Sequence, residues 1–140
     1  MTHVIDASVA VRWTIEMPLS EKAELLLHRG RPLIAPDFVI VEVTNVLLMN
    51  IRDRADRVQR ALDGLEFLPR WFAHLEPAIW LRHRAMTYAI ELEHSAYDCF
   101  YLALAVRENA RMVTTDEKFI RKVEESDYRK HIVHLAEWQP

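Results

Sequence analysis

Apolar and polar residues alternate along this chain in a pattern that predicts short β-strands separated by longer helices. Strands are predicted where short apolar runs are bounded by turn residues, at residues 3–6, 33–35, 74–76, 111–115 and 132–135. Helices are predicted where apolar residues recur at helical spacing, at residues 8–14, 21–28, 38–51, 56–68, 78–91, 95–107 and 117–124. Strands alternating with helices are typical of an α/β domain with a mainly parallel sheet.

The ends of several elements are predicted from single residues. Ser20 and Asp37 are predicted N-caps of the helices that follow them, and Pro36 is predicted to stop the second strand. Residues 38–41 have strand propensity. The segment 38–51 contains neither Gly nor Pro, however, and its length favours a helix.

Composition predicts one soluble domain spanning residues 1–140. Hydrophobic residues make up 51% of the chain and only 2 glycines are present, so a sizeable core is expected and linkers are not. The single cysteine, Cys99, excludes an internal disulfide and a cysteine-based zinc site, and it is expected to be a small core residue. The chain shows neither a signal-peptide pattern nor a bilayer-length apolar run. We therefore expect a cytoplasmic protein without a membrane partner.

The formal net charge of −3 does not favour a general nucleic-acid coat, because such proteins neutralise many phosphates with Lys and Arg. Local basic clusters remain compatible with RNA binding, although each is also explained as a solvated helix face. These clusters are Arg52, Arg54, Arg57 and Arg60; Arg82 and Arg84; and Arg121, Lys122, Arg129 and Lys130.

Four carboxylates interrupt apolar segments at widely separated points of the chain. They are Asp6, Glu42, Asp98 and Asp116. A buried carboxylate is costly unless it is paired, hydrogen-bonded or bound to a cation, so four of them suggest one shared cation. Two of them end predicted strands, and ligands of parallel α/β sheets bind outside the carboxyl ends of strands.

Each carboxylate also has a structural explanation. Asp6 and Asp116 precede predicted helices and suit N-caps, and Asp98 follows Ser95 at capping-box spacing. The structural explanation is weakest for Glu42, because this residue lies inside an apolar helix. Capping and metal binding are compatible, so the caps do not exclude a shared site.

Oxygen-only ligands favour Mg²⁺, with Mn²⁺ as a substitute, and no Cys or His cluster at ligand spacing indicates zinc. Carboxylates that hold one or two such ions are a recurrent device for phosphodiester hydrolysis by metal-activated water. The residues therefore favour a metal-dependent hydrolase that needs no protein nucleophile.

Four segments of the chain, taken in order, resemble the acidic motifs of PIN domain ribonucleases. They are residues 4–8, 36–45, 97–105 and 113–119. The length and order are similar, more narrowly, to VapC-type toxins of toxin-antitoxin pairs, and the resemblance covers essentially the whole chain. Two departures are visible: His94 and Asn109 stand where many relatives have Gly.

The resemblance implies a three-layer α/β/α sandwich with an acidic pocket, formed by the four carboxylates, that binds Mg²⁺ or Mn²⁺. It implies an endoribonuclease with an RNA substrate, a cognate antitoxin protein and a homodimeric state. Ser8, Asn45 and Thr114 would orient the carboxylates or position the substrate. For Ser8 and Thr114, simple capping is an equally good explanation.

Two other functions remain open from the sequence. A receiver-like phosphoacceptor domain also binds Mg²⁺ through a carboxylate cluster, although Asp6 is followed by Ala7 and Ser8 rather than by a second acid. A PIN scaffold that binds RNA or protein without cleaving it is the other alternative.

Overall fold

A computed structural model describes residues 2–140, and at its centre lies a five-stranded sheet in which every strand pair is parallel. The strand order is β3-β2-β1-β4-β5. The strands are β1 (His3–Ile5), β2 (Leu33–Pro36), β3 (His74–Glu76), β4 (Arg111–Thr114) and β5 (Ile132–His134). The predicted parallel sheet is thus confirmed.

Helices cover both faces of the sheet and complete the three-layer α/β/α sandwich. The α-helices within residues 2–140 are α1 (Ala7–Ala10), α2 (Ser20–Leu27), α3 (Val39–Ile51), α4 (Val58–Phe67), α5 (Arg82–Leu92), α6 (Ala96–Arg107) and α7 (Glu117–Glu124). None of these helices combines the length and the apolar character that crossing a lipid bilayer requires.

Helix α6 is the central helix of the core. It packs against β1, β2 and β4 on the sheet and against α5 beside it. Its buried residues include Cys99 and the continuous run 101–105, so it is apolar on nearly all sides, as helices enclosed by other elements are. Cys99 is a core residue, as predicted.

A second packed group consists of α1, α3 and α4, with α3 between the other two. The prediction that residues 38–51 form a helix is correct except at the first residue, since α3 begins at Val39. Tertiary packing overrides the strand propensity of its first turn, where Val39 and Val43 are buried one turn apart.

Two predicted helix caps are wrong for identifiable reasons. Ser20 is the first residue of α2 rather than its cap, because Leu19 before it takes a left-handed conformation (φ 71°). Ser20 Oγ instead accepts a hydrogen bond from Met17 N at 2.9 Å. Asp37 does not cap α3: its Oδ1 accepts from Ala78 N at 3.1 Å and ties together two segments 41 residues apart.

The second strand ends at Pro36, as predicted, and includes it as its last residue. It lies opposite Glu76 of β3, beyond the last pairing of β2 with β1 at Val4 and Ile34. A proline is tolerated there because no neighbouring strand on the β1 side needs its missing N–H. Several predicted helices also start or finish as short 3₁₀ turns, at Val11–Trp13, Ala55–Arg57, Leu68–Trp71 and Ala78–Leu81.

The strand order creates a switch point between β1 and β4. The chain builds β1, β2 and β3 outward on one side and then returns to add β4 and β5 on the other. Crossovers on either side of this point leave a crevice outside the carboxyl ends of the two strands. Asp6 follows β1 directly, and Asp116 lies two residues beyond the end of β4.

Candidate metal centre

Asp6 is held at the end of β1 by three donors. Its Oδ2 accepts hydrogen bonds from Ser8 Oγ at 2.5 Å, Ser8 N at 3.3 Å and Thr114 Oγ1 at 3.0 Å. The side chain is buried, and it does cap α1. Because all three hydrogen bonds end on Oδ2, they fix the direction of the carboxylate and also supply that oxygen with donors.

Ser8 and Thr114 also connect β4 to the start of α7. Ser8 Oγ accepts from Thr115 N at 3.1 Å, and Thr114 Oγ1 accepts from Asp116 N at 3.2 Å. Asp116 in turn caps α7, since its Oδ1 accepts from Phe119 N at 3.0 Å. Two hydroxyl groups therefore set the positions of both strand-end aspartates.

Asp98 does not form the predicted capping box. Ser95 makes no side-chain bond to the first turn of α6, and Asp98 Oδ2 lies 2.7 Å from His94 Nε2 instead. The capping explanation for Asp98 is therefore wrong. Its carboxylate is turned toward the strand ends, where it interacts electrostatically with Asp6 and Asp116.

Glu42 reaches the centre from α3. Its Oε1 accepts a hydrogen bond from Tyr101 OH at 2.8 Å, and Tyr101 is completely buried on α6. Asn45 lies about one turn further along α3 and is exposed at the rim, where it lines a shallow depression with Glu42 and Tyr97. Of the four predicted carboxylates, Asp98 and Asp116 offer ligand atoms within reach of one ion, whereas Asp6 and Glu42 lie outside that group and interact with it through their charges.

Burial and mutual repulsion disfavour the charged form of these acids. Burial, assisted by the charge of Asp98, raises the pKa of Asp6 from 3.8 to about 6, against the opposing effect of its hydroxyl donors. Burial, with the charges of Asp6 and Asp98, raises the pKa of Glu42 from 4.5 to about 7. The pKa of Asp98 is raised by burial first and by Asp116 second. A bound cation would offset the free-energy cost of holding these charged carboxylates buried and close together.

One further side chain belongs to the cluster and was missed from the sequence. Ligand atoms of His94, Asp98 and Asp116 all lie within 4.8 Å of one another. A nitrogen atom therefore lies beside the oxygen ligands that the sequence predicts. The available signal was the spacing of His94 and Asp98, four residues apart, together with the departure from Gly at position 94.

The two departures from Gly differ in their effect on the backbone. Asn109 takes the left-handed conformation (φ 48°), which Asn tolerates better than most residues. Near His94, the left-handed residue is its neighbour Glu93 (φ 49°), which ends α5. The chain therefore makes the turn one residue earlier and leaves position 94 free to carry a side chain into the site.

The donor set fits a divalent cation. Carboxylate oxygens suit Mg²⁺ and Mn²⁺, and at least two of them converge within reach of a single ion. The raised pKa values of Asp6, Glu42 and Asp98 indicate that no nearby positive charge balances these carboxylates.

Comparison with known proteins identifies the family. The family model described as "PIN domain" matches residues 3–125. The chain belongs to the PIN domain family. The resemblance drawn from the four acidic segments is thereby confirmed, and those segments all lie within the matched residues of this PIN domain.

Two proteins from Pyrobaculum aerophilum are similar to this PIN domain, one in sequence and one in fold. Ribonuclease VapC3 is 28% identical over 124 residues, which cover 87% of this chain and 95% of that protein. The crystal structure of PAE2754 has a TM-score of 0.70 at 22% identity and covers 97% of this chain and 90% of the other. The first agrees with the narrower resemblance to VapC-type toxins, and the second shows the shared fold.

The receiver-like alternative is wrong. Receiver domains have the flavodoxin-like strand order 2-1-3-4-5, with β1 between β2 and β3. In this PIN domain β1 lies between β2 and β4, and β3 is at the edge of the sheet.

Proposed function

We propose that this PIN domain is a metal-dependent endoribonuclease whose catalytic carboxylates are Asp6, Glu42, Asp98 and Asp116. The observation that supports this most directly is that Asp98 and Asp116 offer ligand atoms within 4.8 Å of each other, while burial and neighbouring carboxylates raise the pKa values of Asp6, Glu42 and Asp98. A binding scaffold has no need to bury mutually repelling acids. The name of the relative Ribonuclease VapC3 supports RNA as the substrate.

The side chains around the acids prepare them to bind Mg²⁺ or Mn²⁺. Ser8 and Thr114 hold the Asp6 carboxylate in one direction, and Tyr101 donates to Glu42 and so favours its ionised form. A divalent ion held by these carboxylates would supply an activated water and would neutralise charge on the phosphate. Exposed Asn45 stands at the rim, where its amide is available to a phosphate oxygen of the substrate.

We further propose that the protein is a toxin silenced by an antitoxin that covers an apolar groove between α3 and α4. Leu47, Leu48, Ile51, Ala61, Leu62 and Leu65 line this groove almost without polar surface. Leu48 and Leu62 are 52% and 55% exposed. Such a surface suits the apolar face of an amphipathic helix.

The antitoxin proposal is tested with the small DNA-binding protein expected from the reading frame upstream. We expect it to bind the purified chain in calorimetry, and we expect Leu62→Asp to weaken that binding. Ile90→Asp, at an exposed position of α5, should leave the binding unchanged. An equal loss of binding in both variants would mean that the antitoxin does not bind in the groove between α3 and α4. The proposed homodimer is checked by light scattering of the chain alone.

Cleavage of total cellular RNA tests the nuclease proposal. The purified protein is incubated with Mg²⁺ or Mn²⁺, with EDTA, and as the variants Asp98→Asn and Asp127→Asn; Asp127 is an exposed acid and serves as the control. We expect discrete cuts with 5′-phosphate and 3′-hydroxyl ends that disappear with EDTA and in Asp98→Asn only. Metal binding without cleavage would favour the non-catalytic scaffold, and 2′,3′-cyclic phosphate ends formed without metal would contradict the mechanism.

A further inference from the structure

His94 is built into the acidic centre rather than placed loosely on the surface. Its side chain is only 10% exposed, and its ring packs on Phe119, with centroids 4.6 Å apart and planes 32° apart. Left-handed Glu93 precedes it and directs the chain from α5 into α6. Packing on one side and Asp98 on the other therefore fix the orientation of the imidazole.

The imidazole lies close to two carboxylates. Ligand atoms of His94, Asp98 and Asp116 lie within 4.8 Å of one another. At bond lengths of about 2.0–2.2 Å, two ligands on opposite sides of one ion are about 4.0–4.4 Å apart. Small side-chain adjustments are enough to bring all three onto one ion.

A nitrogen ligand changes which ion the site prefers. Mg²⁺ is a hard cation that takes oxygen ligands, whereas imidazole suits the first-row transition metals. Mn²⁺ binds nitrogen most weakly of the first-row transition ions, but it shares the preference of Mg²⁺ for carboxylate oxygens. A set of two carboxylates and one imidazole therefore fits Mn²⁺ better than Mg²⁺, which takes oxygen ligands.

We propose that His94 is a ligand of the divalent ion and gives this PIN domain a preference for Mn²⁺ over Mg²⁺. The inference rests on the proposed function only in that the carboxylates must bind a metal. The competing role is that of a positioning residue, in which His94 only holds the Asp98 carboxylate by the 2.7 Å hydrogen bond.

Two variants separate these roles. His94→Phe keeps an aromatic ring for packing on Phe119 but removes the nitrogen, and His94→Gln keeps a hydrogen-bond donor for Asp98 but removes the imidazole. His83→Gln is the matched control, because His83 is an exposed histidine on the neighbouring helix α5. Circular dichroism and thermal melts establish that each variant is folded before metal is added.

The first measurement is pulsed electron paramagnetic resonance of the full chain loaded with Mn²⁺. We expect modulation from a directly bound ¹⁴N in the wild type and in His83→Gln, and its loss in both His94 variants. Absence of ¹⁴N coupling in the wild type would overturn the proposal whatever the activity of the protein.

The second measurement is calorimetric titration of the same proteins with Mn²⁺ and with Mg²⁺. Since even residues that only support a ligand change affinity by about 10–100-fold, we expect Mn²⁺ affinity to fall at least about tenfold in His94→Gln and Mg²⁺ affinity to change little. Equal losses for both ions would assign His94 to positioning alone and overturn the proposal.

The two proposals fail in distinguishable ways. Asp98→Asn tests the carboxylate site itself, and it should weaken both ions. If the wild type binds neither ion, the metal site and the role of His94 are both wrong. If it binds both ions and cleaves RNA without ¹⁴N coupling, the nuclease proposal stands and only the inference about His94 fails.

Discussion

Tyr101 OH donates a 2.8 Å hydrogen bond to Glu42 Oε1 and thereby joins α6 to α3 directly at the acidic centre. Tyr101 is completely buried, so its hydroxyl is a fixed donor. The bond lowers the pKa of Glu42 against the stronger effect of burial, which raises it. Tyr101 therefore helps to keep Glu42 ionised near neutral pH, which is the form that a metal ion binds.

Replacing Tyr101 with Phe should weaken divalent-ion binding at pH 7. Without the hydroxyl, the pKa of Glu42 rises further and more of the population is protonated. A hydrogen bond to a charged group contributes about 1.5–3 kcal/mol, so a loss of roughly tenfold in Mn²⁺ affinity is expected from calorimetry. Tyr97→Phe is the control, because Tyr97 is 67% exposed. Unchanged affinity in Tyr101→Phe would mean that Glu42 takes no part in binding the ion.

The raised pKa of Glu42 predicts that the metal-free protein loses stability as pH rises. The folded state holds this proton with a pKa of about 7, compared with 4.5 for an ordinary glutamate, mainly because the group is buried. The stabilising contribution is therefore complete below about pH 4.5 and is lost as pH rises through 7. Allowing for partial solvent exposure, we expect a loss of roughly 1–2 kcal/mol between pH 5 and 8.

Urea unfolding in EDTA measures this effect as the difference between the wild type and Glu42→Gln. His3 titrates in the opposite sense, since burial lowers its pKa from 6.5 to about 4, but it is present in both proteins and cancels. A pH-independent difference would contradict the raised pKa. Added Mn²⁺ should reverse the trend in the wild type, because the ion binds the ionised carboxylates.

The sheet, the helices and the edge of the sheet at which Asp6 and Asp116 lie were predictable from the sequence. Strand residues such as Val4 and Val113 form short buried runs, and parallel pairing brings the polar residues after them to one edge. Asp6 and Asp116 therefore had to meet wherever β1 and β4 were neighbours. The order of the four acidic segments along the chain was the reason for expecting Glu42 and Asp98 beside these two aspartates.

The remaining features depend on tertiary contacts that no local pattern contains. Tyr101 appears in the sequence as one of several apolar positions of α6, and only packing against α3 places it on Glu42. His94 was not predicted to belong to the site, because its stacking partner, Phe119, is 25 positions away. Asp37 looked like a helix cap, yet its partner Ala78 is 41 positions away.

Trp138 should anchor the C-terminal segment to the first strand. Its Nε1 donates to His3 Nε2 at 3.1 Å, and both residues are buried. Trp138→Phe leaves the imidazole acceptor without this donor, and we expect the free energy of unfolding to fall by about 1–3 kcal/mol in urea titrations. Trp80→Phe is the matched control, since Trp80 is 69% exposed. Mn²⁺ affinity should not change in either variant; if Trp138→Phe lowered it, the segment would influence the acidic centre as well.

Gly64 should be needed for the close approach of α4 to the turn after α1. A Cβ atom at Gly64 would lie 2.7 Å from Thr14 Cβ and 2.9 Å from Thr14 Cα, and the backbone contact cannot be relieved by rotating a side chain. Alanine gains about 1 kcal/mol over glycine in a helix. Overpacking costs about 1–3 kcal/mol, so Gly64→Ala should lower the free energy of unfolding or at best leave it unchanged.

Gly30→Asn provides the comparison, because Gly30 is left-handed (φ 64°) with nothing within 4 Å of a Cβ, and Asn tolerates that conformation. If Gly64→Ala were instead more stable in thermal melts than both the wild type and Gly30→Asn, α4 would have room to move away from Thr14.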